Sequence, residues 1–115
     1  MRATLTAAEQ GALQEFAKYL RAHCAKQVEH IGLFGSKARG DSGRDSDIDV
    51  LIILARENRR LRREILRQAA RLSLKYDVLL SPRVIGAARW EEMRGFSLYR
   101  NVQREAMNLL LVEDV

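Results

Sequence analysis

The first apolar pattern in the chain has helical spacing. Apolar side chains recur at every third or fourth position between residues 13 and 24, which predicts an amphipathic helix over residues 6–26. Thr6 and Glu9 have the spacing of a capping box, in which a hydroxyl and a carboxylate each accept a backbone N–H at the helix start. We therefore expect the helix to begin at Thr6. Its apolar stripe consists of Leu13, Phe16, Ala17, Leu20 and Cys24.

Two apolar runs with the character of strands follow this helix. The first covers residues 28–34, and the second begins at Asp47 and continues to Leu54. Residues 35–46 between them are rich in Gly, Ser and charged side chains, which is typical of a loop. The pattern therefore predicts two strands joined by a polar connection.

The second half of the chain predicts more helix and one more strand. Residues 55–75 have an apolar face at helical spacing, and residues 75–81 resemble a strand that Pro82 would end. Residues 87–94 predict a short helix, and residues 97–110 predict a last helix before a tail with edge-strand character. Helices and strands are thus mixed along the chain, so we expect an α/β fold of the α+β kind.

Length, charge and cysteine content narrow the class of protein. A chain of 115 residues has the size of one domain, so we expect residues 1–115 to form a single domain. The formal net charge of +5 favours phosphate-rich or acidic partners. The one cysteine, Cys24, excludes an internal disulfide and suits a reducing cytoplasm. No apolar stretch is long enough to span a bilayer, and the N-terminal segment lacks the pattern of a signal peptide. We therefore predict a cytoplasmic protein without membrane contact.

The ends of the first two strands carry the candidate chemistry. Successive side chains of a strand point to opposite faces, so Asp47 and Asp49 would project from one face of the second strand. Two close carboxylates repel each other unless a cation lies between them, and Mg²⁺ prefers such oxygen ligands together with substrate phosphates. Gly35 and Ser36 end the first strand, and a glycine there lets the backbone approach a phosphate closely. These residues predict a site for a metal ion and a nucleotide.

Gly35-Ser36, followed after ten residues by Asp47-x-Asp49, resembles the signature of the DNA polymerase β-like nucleotidyltransferases. The fuller string G-S-K-A-R-G…S-D-I-D-V-L-I is similar to the minimal nucleotidyltransferase (MNT) branch of that superfamily. The resemblance extends to Tyr76-Asp77-Val78-Leu79-Leu80, which fits the family's third carboxylate on a later strand, and to residues 98–105 of the closing helix. It implies a polymerase β-like fold with a small mixed sheet backed by helices.

The resemblance also implies the roles of the site residues. Three acids would hold up to two Mg²⁺ ions and serve as the catalytic residues, and Asp77 would help to deprotonate the acceptor. ATP would be the nucleotide donor, with its phosphates held after the first strand. The expected catalytic and metal-binding residues are Asp47, Asp49 and Asp77, and the expected nucleotide-binding residues are Gly35, Ser36, Lys37 and Arg39.

The acceptor is expected to come from another protein. Larger relatives carry a second domain for the acceptor, and this sequence has no such segment, so a partner or a second copy would supply that surface. MNT proteins resemble antitoxins paired with a helical HEPN ribonuclease toxin, and the implied activity is transfer of AMP to a tyrosine hydroxyl of that toxin. Two alternatives stay open. One is an antitoxin that neutralises by binding alone, and the other is a nucleotidyltransferase with a small-molecule acceptor.

A row of arginines marks the second predicted helix. The arginines recur at helical spacing on the face opposite the apolar stripe, and such a density favours a partner with carboxylates or phosphates. No aromatic side chains interleave with the row to stack single-stranded bases, so we rank an acidic protein above RNA and expect no direct nucleic-acid binding. The row consists of Arg56, Arg60, Arg63, Arg67 and Arg71.

Overall fold

The computed structural model describes residues 5–34, 47–97, 99–100 and 107–108. Its elements are helix α1 (Ala7–Cys24), strands β1 (Val28–Phe34) and β2 (Ile48–Leu54), helix α2 (Arg59–Tyr76), strand β3 (Leu80–Gly86), helix α3 (Ala87–Glu92) and strand β4 (Met107–Asn108). The strands form one sheet in the order β3-β2-β1-β4. β1 is antiparallel to both β2 and β4, whereas β2 and β3 are parallel. The predicted small mixed sheet with helices is therefore confirmed.

The capping box at the start of α1 is formed as predicted. The Thr6 hydroxyl accepts the Glu9 N–H at 3.1 Å, and a Glu9 carboxylate oxygen accepts the Thr6 N–H at 2.8 Å. Two backbone donors that have no partner inside the helix are thereby satisfied. The helix ends at Cys24, two residues before the predicted end, and Ala25 is its C-cap.

Helix α2 differs from its predicted bounds at both ends. It starts at Arg59, where the Asn58 side chain accepts the Leu61 N–H at 3.0 Å, so the start lies four residues later than expected. It then continues to Tyr76, through residues that we assigned to a strand. Asp77 follows as the C-cap in the left-handed conformation, with a φ of 53°. The prediction of a strand over residues 75–81 is therefore wrong, because the first residues of that range belong to α2 and its C-cap.

Strand β3 starts later and extends further than predicted. It runs from Leu80 to Gly86 and includes Pro82, which we expected to end it. Proline lacks the N–H that a central strand needs, but β3 lies at an edge of the sheet, where one row of its backbone groups has no strand partner among the described residues. Arg62 of α2 is fixed to this edge strand, since its guanidinium donates to the Val84 carbonyl at 3.0 and 3.3 Å.

The last part of the chain also differs from the prediction. α3 begins at Ala87 as expected and ends at Glu92. Residues 97, 99 and 100 are helical, but Met107–Asn108 is a strand that pairs with β1, so a helix continuing to residue 110 is wrong. The predicted edge strand over residues 110–115 lies outside the described residues.

The two faces of the sheet carry separate apolar clusters. Alternate residues of β2 face α1 and α2 in the larger cluster, and these include Ile48 and Val50, both fully buried. The other residues of β2 face the opposite side, where a smaller cluster is built around α3. In this smaller cluster Trp90 stacks on Tyr99 with 4.5 Å between the ring centroids. The buried members of the smaller cluster are Phe34, Leu51, Ile53 and Trp90.

Candidate functional site

Asp47 and Asp49 lie on either side of Ile48, the first residue of strand β2. Ile48 lies between them with its side chain buried in the helix-covered core. Strand alternation therefore places both aspartates toward the other face, the one that carries Trp90. Asp47 is exposed and Asp49 is half-buried. The Ile48 N–H donates to the Leu79 carbonyl at 2.9 Å, which fixes the start of β2 against the segment before β3.

The two strands on either side of β2 bring residues to the same level as Asp49. Phe34, the last residue of β1, pairs with Asp49 in the antiparallel ladder. Ser81 of β3 pairs with Asp49 in the parallel ladder. Asp49 therefore lies in the middle of a row, between the end of β1 and the start of β3.

The predicted phosphate-binding residues follow β1 in the sequence. Phe34 ends β1 and directly precedes the Gly-Ser pair. The four residues predicted to bind the nucleotide, Gly35, Ser36, Lys37 and Arg39, lie outside the described part of the chain. Their role therefore stays a prediction.

Asp77 does not have the position that we predicted for it. It caps the C-terminus of α2, is exposed, and precedes the first residue of β3 by three positions. Among the described residues, which include Asp47, Asp49 and Asp77, no three acidic, histidine or cysteine side chains lie close enough together to hold a metal ion. The expected cluster of three carboxylates is therefore not formed, because Asp77 lies at a helix end and not on the sheet.

Two carboxylates nevertheless fit a magnesium ion that also binds a nucleotide. Mg²⁺ is commonly held through one or two carboxylates, with the other positions filled by water and substrate phosphates. Asp47 and Asp49 offer two hard oxygen ligands on one face, and the hydroxyl of Ser81 lies at the same level of the sheet. The residues present thus suit a metal ion that arrives with a triphosphate.

A pocket that sequence reasoning missed lies between β3 and α3. It has a volume of about 510 Å³ and is lined by residues of β3, α3 and the segment after α3, among them Arg83, Arg89, Met93 and Phe96. Arg83 follows Ser81 by two positions on β3, so alternation places it on the same face of the sheet as Asp49. An arginine inside a mostly apolar strand was the signal in the sequence, because a charged residue there needs either solvent or a partner.

Two carboxylates lie at the start of the central strand β2, next to the end of β1, which leads into Gly-Ser. This arrangement is typical of the class of proteins that handle metal-bound phosphates. The comparison with protein families agrees with this class. Residues 13–104 match the nucleotidyltransferase domain family, and the chain belongs to that family.

Curated relatives and a solved structure support the same assignment. Two proteins of Methanocaldococcus jannaschii that bear the provisional name protein adenylyltransferase are similar in sequence. One is 39% identical over 71 residues, which are 61% of this chain and 72% of the relative. The other is 32% identical over 97 residues, which are 84% of this chain and 93% of the relative. A chain from the crystal structure of a toxin–antitoxin with AMP-PNP aligns with a TM-score of 0.56 and 25% identity, over 84% of this chain and 71% of that one.

None of the helices in the described part of the chain combines the length and the hydropathy that crossing a bilayer requires.

Proposed function

We propose that this nucleotidyltransferase transfers AMP from ATP to a tyrosine hydroxyl of a cognate HEPN ribonuclease toxin and thereby neutralises that toxin. The names of the curated relatives support protein adenylylation as the reaction. The toxin–antitoxin structure with AMP-PNP supports a toxin as the partner and an adenine nucleotide as the donor. The protein would act in the cytoplasm, where ATP and a ribonuclease target are both present.

The position of Asp47 and Asp49 carries the proposal. Both side chains lie on one face at the start of the central strand, and β1 ends beside them and leads into Gly35-Ser36. In the proposed site, Asp47 and Asp49 hold the metal ion. Gly35 and Ser36 hold the β- and γ-phosphates with their backbone and hydroxyl groups, and Lys37 and Arg39 neutralise phosphate charge. Asp77 is left out of the site because it caps α2.

The reaction balances without a further reactant. The tyrosine oxygen attacks the α-phosphorus of ATP, a new P–O bond forms, and the bond from the α-phosphorus to the bridging oxygen breaks. Pyrophosphate leaves with the bonding electrons, and the tyrosine proton is released to solvent. Asp47 and Asp49 would hold Mg²⁺, which when bound would lower the pKa of the hydroxyl and stabilise the charge of pyrophosphate. The two aspartates would orient the phosphates through that ion, and positioning with charge stabilisation would supply most of the rate.

The test is transfer of label from ATP to the toxin. The full chain is incubated with the toxin with which it co-purifies, Mg²⁺ and ATP labelled at the α-phosphate, and the toxin is then analysed by mass spectrometry. We expect label on a tyrosine of the toxin, and Asp49→Asn should reduce the rate by at least ~100-fold, because a neutral amide binds the metal ion far more weakly. Label that persists unchanged in this variant would contradict the proposed site.

The same experiment separates the proposal from its two alternatives. An antitoxin that neutralises by binding alone would protect RNA from the toxin and leave the toxin unlabelled. A small-molecule acceptor would place the label in the low-mass fraction. Labelling with ATP that carries the label at the γ-phosphate is the control, since transfer of AMP leaves that phosphate in pyrophosphate.

A further inference from the structure

The outer surface of α2 combines apolar and basic side chains. It is formed by Arg63, Leu66, Arg67, Ala70, Arg71 and Leu74, all of them exposed. Leu66 is 41% exposed and Leu74 is 86% exposed, although leucine is among the residues that are most often buried. Leu66, Ala70 and Leu74 follow each other at intervals of four residues, so they form one continuous strip along the helix.

The core already occupies the opposite side of this helix. Leu61, Ile65 and Leu72 are buried against the sheet and α1. At 100° per residue, the strip of Leu66, Ala70 and Leu74 points away from these residues. An amphipathic surface helix normally exposes charged or polar residues there, so a second apolar strip has no role in the fold of the described residues.

Two of the three arginines of this surface have no ion-pair partner among the described residues, whereas the third, Arg71, lies near enough to Glu15 to help lower the pKa of that carboxyl group. Arg63 and Arg67 form no ion pair with any other residue in the described part of the chain. Glu64 is the one acid of α2, and it pairs with Arg60 at 3.6 Å. The surface therefore presents positive charge beside an apolar strip, and it fits a partner with the opposite charge and an apolar strip of its own.

This surface is separate from the candidate site. α2 packs on the sheet face that carries Ile48 and Val50, whereas Asp47 and Asp49 point to the other face. A molecule bound on the outer surface of α2 would thus leave the aspartates accessible. Binding there does not depend on nucleotidyl transfer, so the two ideas can fail separately.

We propose that the outer surface of α2 docks an amphipathic helix of a protein partner, whose leucine-like strip is flanked by Asp or Glu. The apolar strip packs against its counterpart as two helices do, and the arginines pair with the acids beside it. A nucleic acid would explain the arginines but not the exposed leucines, because phosphates gain nothing from apolar side chains. The spacing of Leu66, Ala70 and Leu74 therefore favours a protein over RNA.

The test uses a thiol placed within the strip. The variant Ala70→Cys carries one accessible thiol, because the natural Cys24 is 1% exposed. It is equilibrated in a glutathione buffer with a mixture of three helical peptides of roughly 20 residues, each with a central cysteine. The first has a leucine strip flanked by Glu, the second has the same strip flanked by Lys, and the third has Ser in place of Leu with Glu kept. Mass spectrometry gives the amount of each disulfide.

We expect the acidic leucine peptide to be captured about tenfold more than the basic one and about fivefold more than the serine one. Adding Arg67→Glu and Arg71→Glu should invert the first ratio, and adding Leu74→Ser should abolish the second. The matched control is Gln10→Cys on the exposed side of α1, where both ratios should fall close to one.

Three results would overturn the proposal. Equal capture of the peptides at position 70 would show that neither charge nor the strip selects a partner. Equal ratios at positions 10 and 70 would show that only the net charge of the protein acts. Tight binding of a fluorescent single-stranded RNA that is lost in Arg67→Glu/Arg71→Glu, with no preference for leucine over serine peptides, would make this a phosphate-binding surface.

Discussion

Asp49 of β2 pairs with Ser81 of β3 in the parallel ladder, on the face of the sheet that carries the candidate site. Adjacent strands lie about 4.8 Å apart, so the two side chains leave the sheet as close neighbours. A third carboxylate would therefore join the aspartate pair most directly from position 81, where this chain has a serine. The pairing of Asp49 with Ser81 therefore predicts different effects of a carboxylate at position 81 and of the carboxylate of Asp77.

Ser81→Asp should create a cluster of three carboxylates, which the described residues of the natural chain do not form. We expect the magnesium concentration needed for half-maximal transfer to fall by about threefold or more, because an added carboxylate strengthens binding of a hard cation. The measurement is a magnesium titration of labelling. Ser81→Asn is the matched control, and an equal change in both variants would show that charge is not the cause.

Asp77→Asn should affect transfer far less than Asp47→Asn or Asp49→Asn. Asp77 caps α2, and asparagine tolerates the left-handed conformation well, so the helix end is preserved. We expect the rate of labelling to stay within about threefold of the natural protein, against a loss of at least ~100-fold for the other two. A large loss in Asp77→Asn would place this carboxylate at the reacting phosphates.

The left-handed backbone at residue 77 predicts a selective effect on stability. A φ of 53° strains a β-branched residue, so Asp77→Val should lower the free energy of unfolding by about 1–2 kcal/mol. Asp77→Gly should leave it equal or higher, because glycine adopts this conformation without strain. Urea denaturation compares the two, and equal losses would contradict the stated cause.

Glu15 predicts a change of stability with pH. Its carboxylate accepts hydrogen bonds from the Tyr76 hydroxyl at 2.6 Å and from Lys75 Nζ at 2.8 Å, which joins α1 to the end of α2. These donors, with the Lys75 hydrogen bond the stronger influence, lower the pKa of Glu15 from its usual value of 4.5. Its contribution to stability is therefore present above pH 4.5 and is lost as the pH falls through the lower folded value.

The variant Glu15→Gln measures this contribution. The natural protein should be more stable than the variant at pH 7, and the difference should shrink as the pH falls below 4.5. Thermal unfolding at a series of pH values provides the comparison, and a constant difference across that range would exclude the linkage.

His30 predicts a further loss of stability on acidification, over a higher pH range than Glu15. Burial disfavours the imidazolium and lowers the pKa of His30 from 6.5. The unfolded chain then binds more protons than the folded one below pH 6.5, so the protein should lose stability as the pH falls from 7 toward 5. In His30→Gln this part of the pH dependence should be absent. Thermal unfolding of both proteins at pH 7, 6 and 5 tests it, and parallel curves would contradict this role of His30.

The parts of the fold that local chemistry determines could be predicted from the sequence. Thr6 and Glu9 specify the start of α1 because their spacing suits a reciprocal cap, and β1 has its predicted bounds because a polar segment follows its apolar run. Asp47 and Asp49 were placed on one face by strand alternation alone.

The predictions that were wrong concern elements whose bounds depend on contacts between segments distant in the sequence. The apolar run after Asp77 suits a helix end and a strand start equally well, and periodicity over so few residues does not separate the two. The start of β3 depends on its pairing with β2, where Leu80 lies opposite Ile48. The short strand Met107–Asn108 likewise exists through its pairing with β1, which no local pattern reveals.

Arg62 and Pro82 affect how the edge strand β3 can pair with a strand of another molecule. Pro82 removes a donor from β3, and the guanidinium of Arg62 occupies the Val84 carbonyl on the same strand. An incoming strand from another molecule needs both of these backbone groups in order to extend the sheet. The edge of the sheet at β3 is thus protected against pairing with strands of other molecules. A chain in which Arg62 and Pro82 are both replaced by alanine should aggregate more readily during refolding.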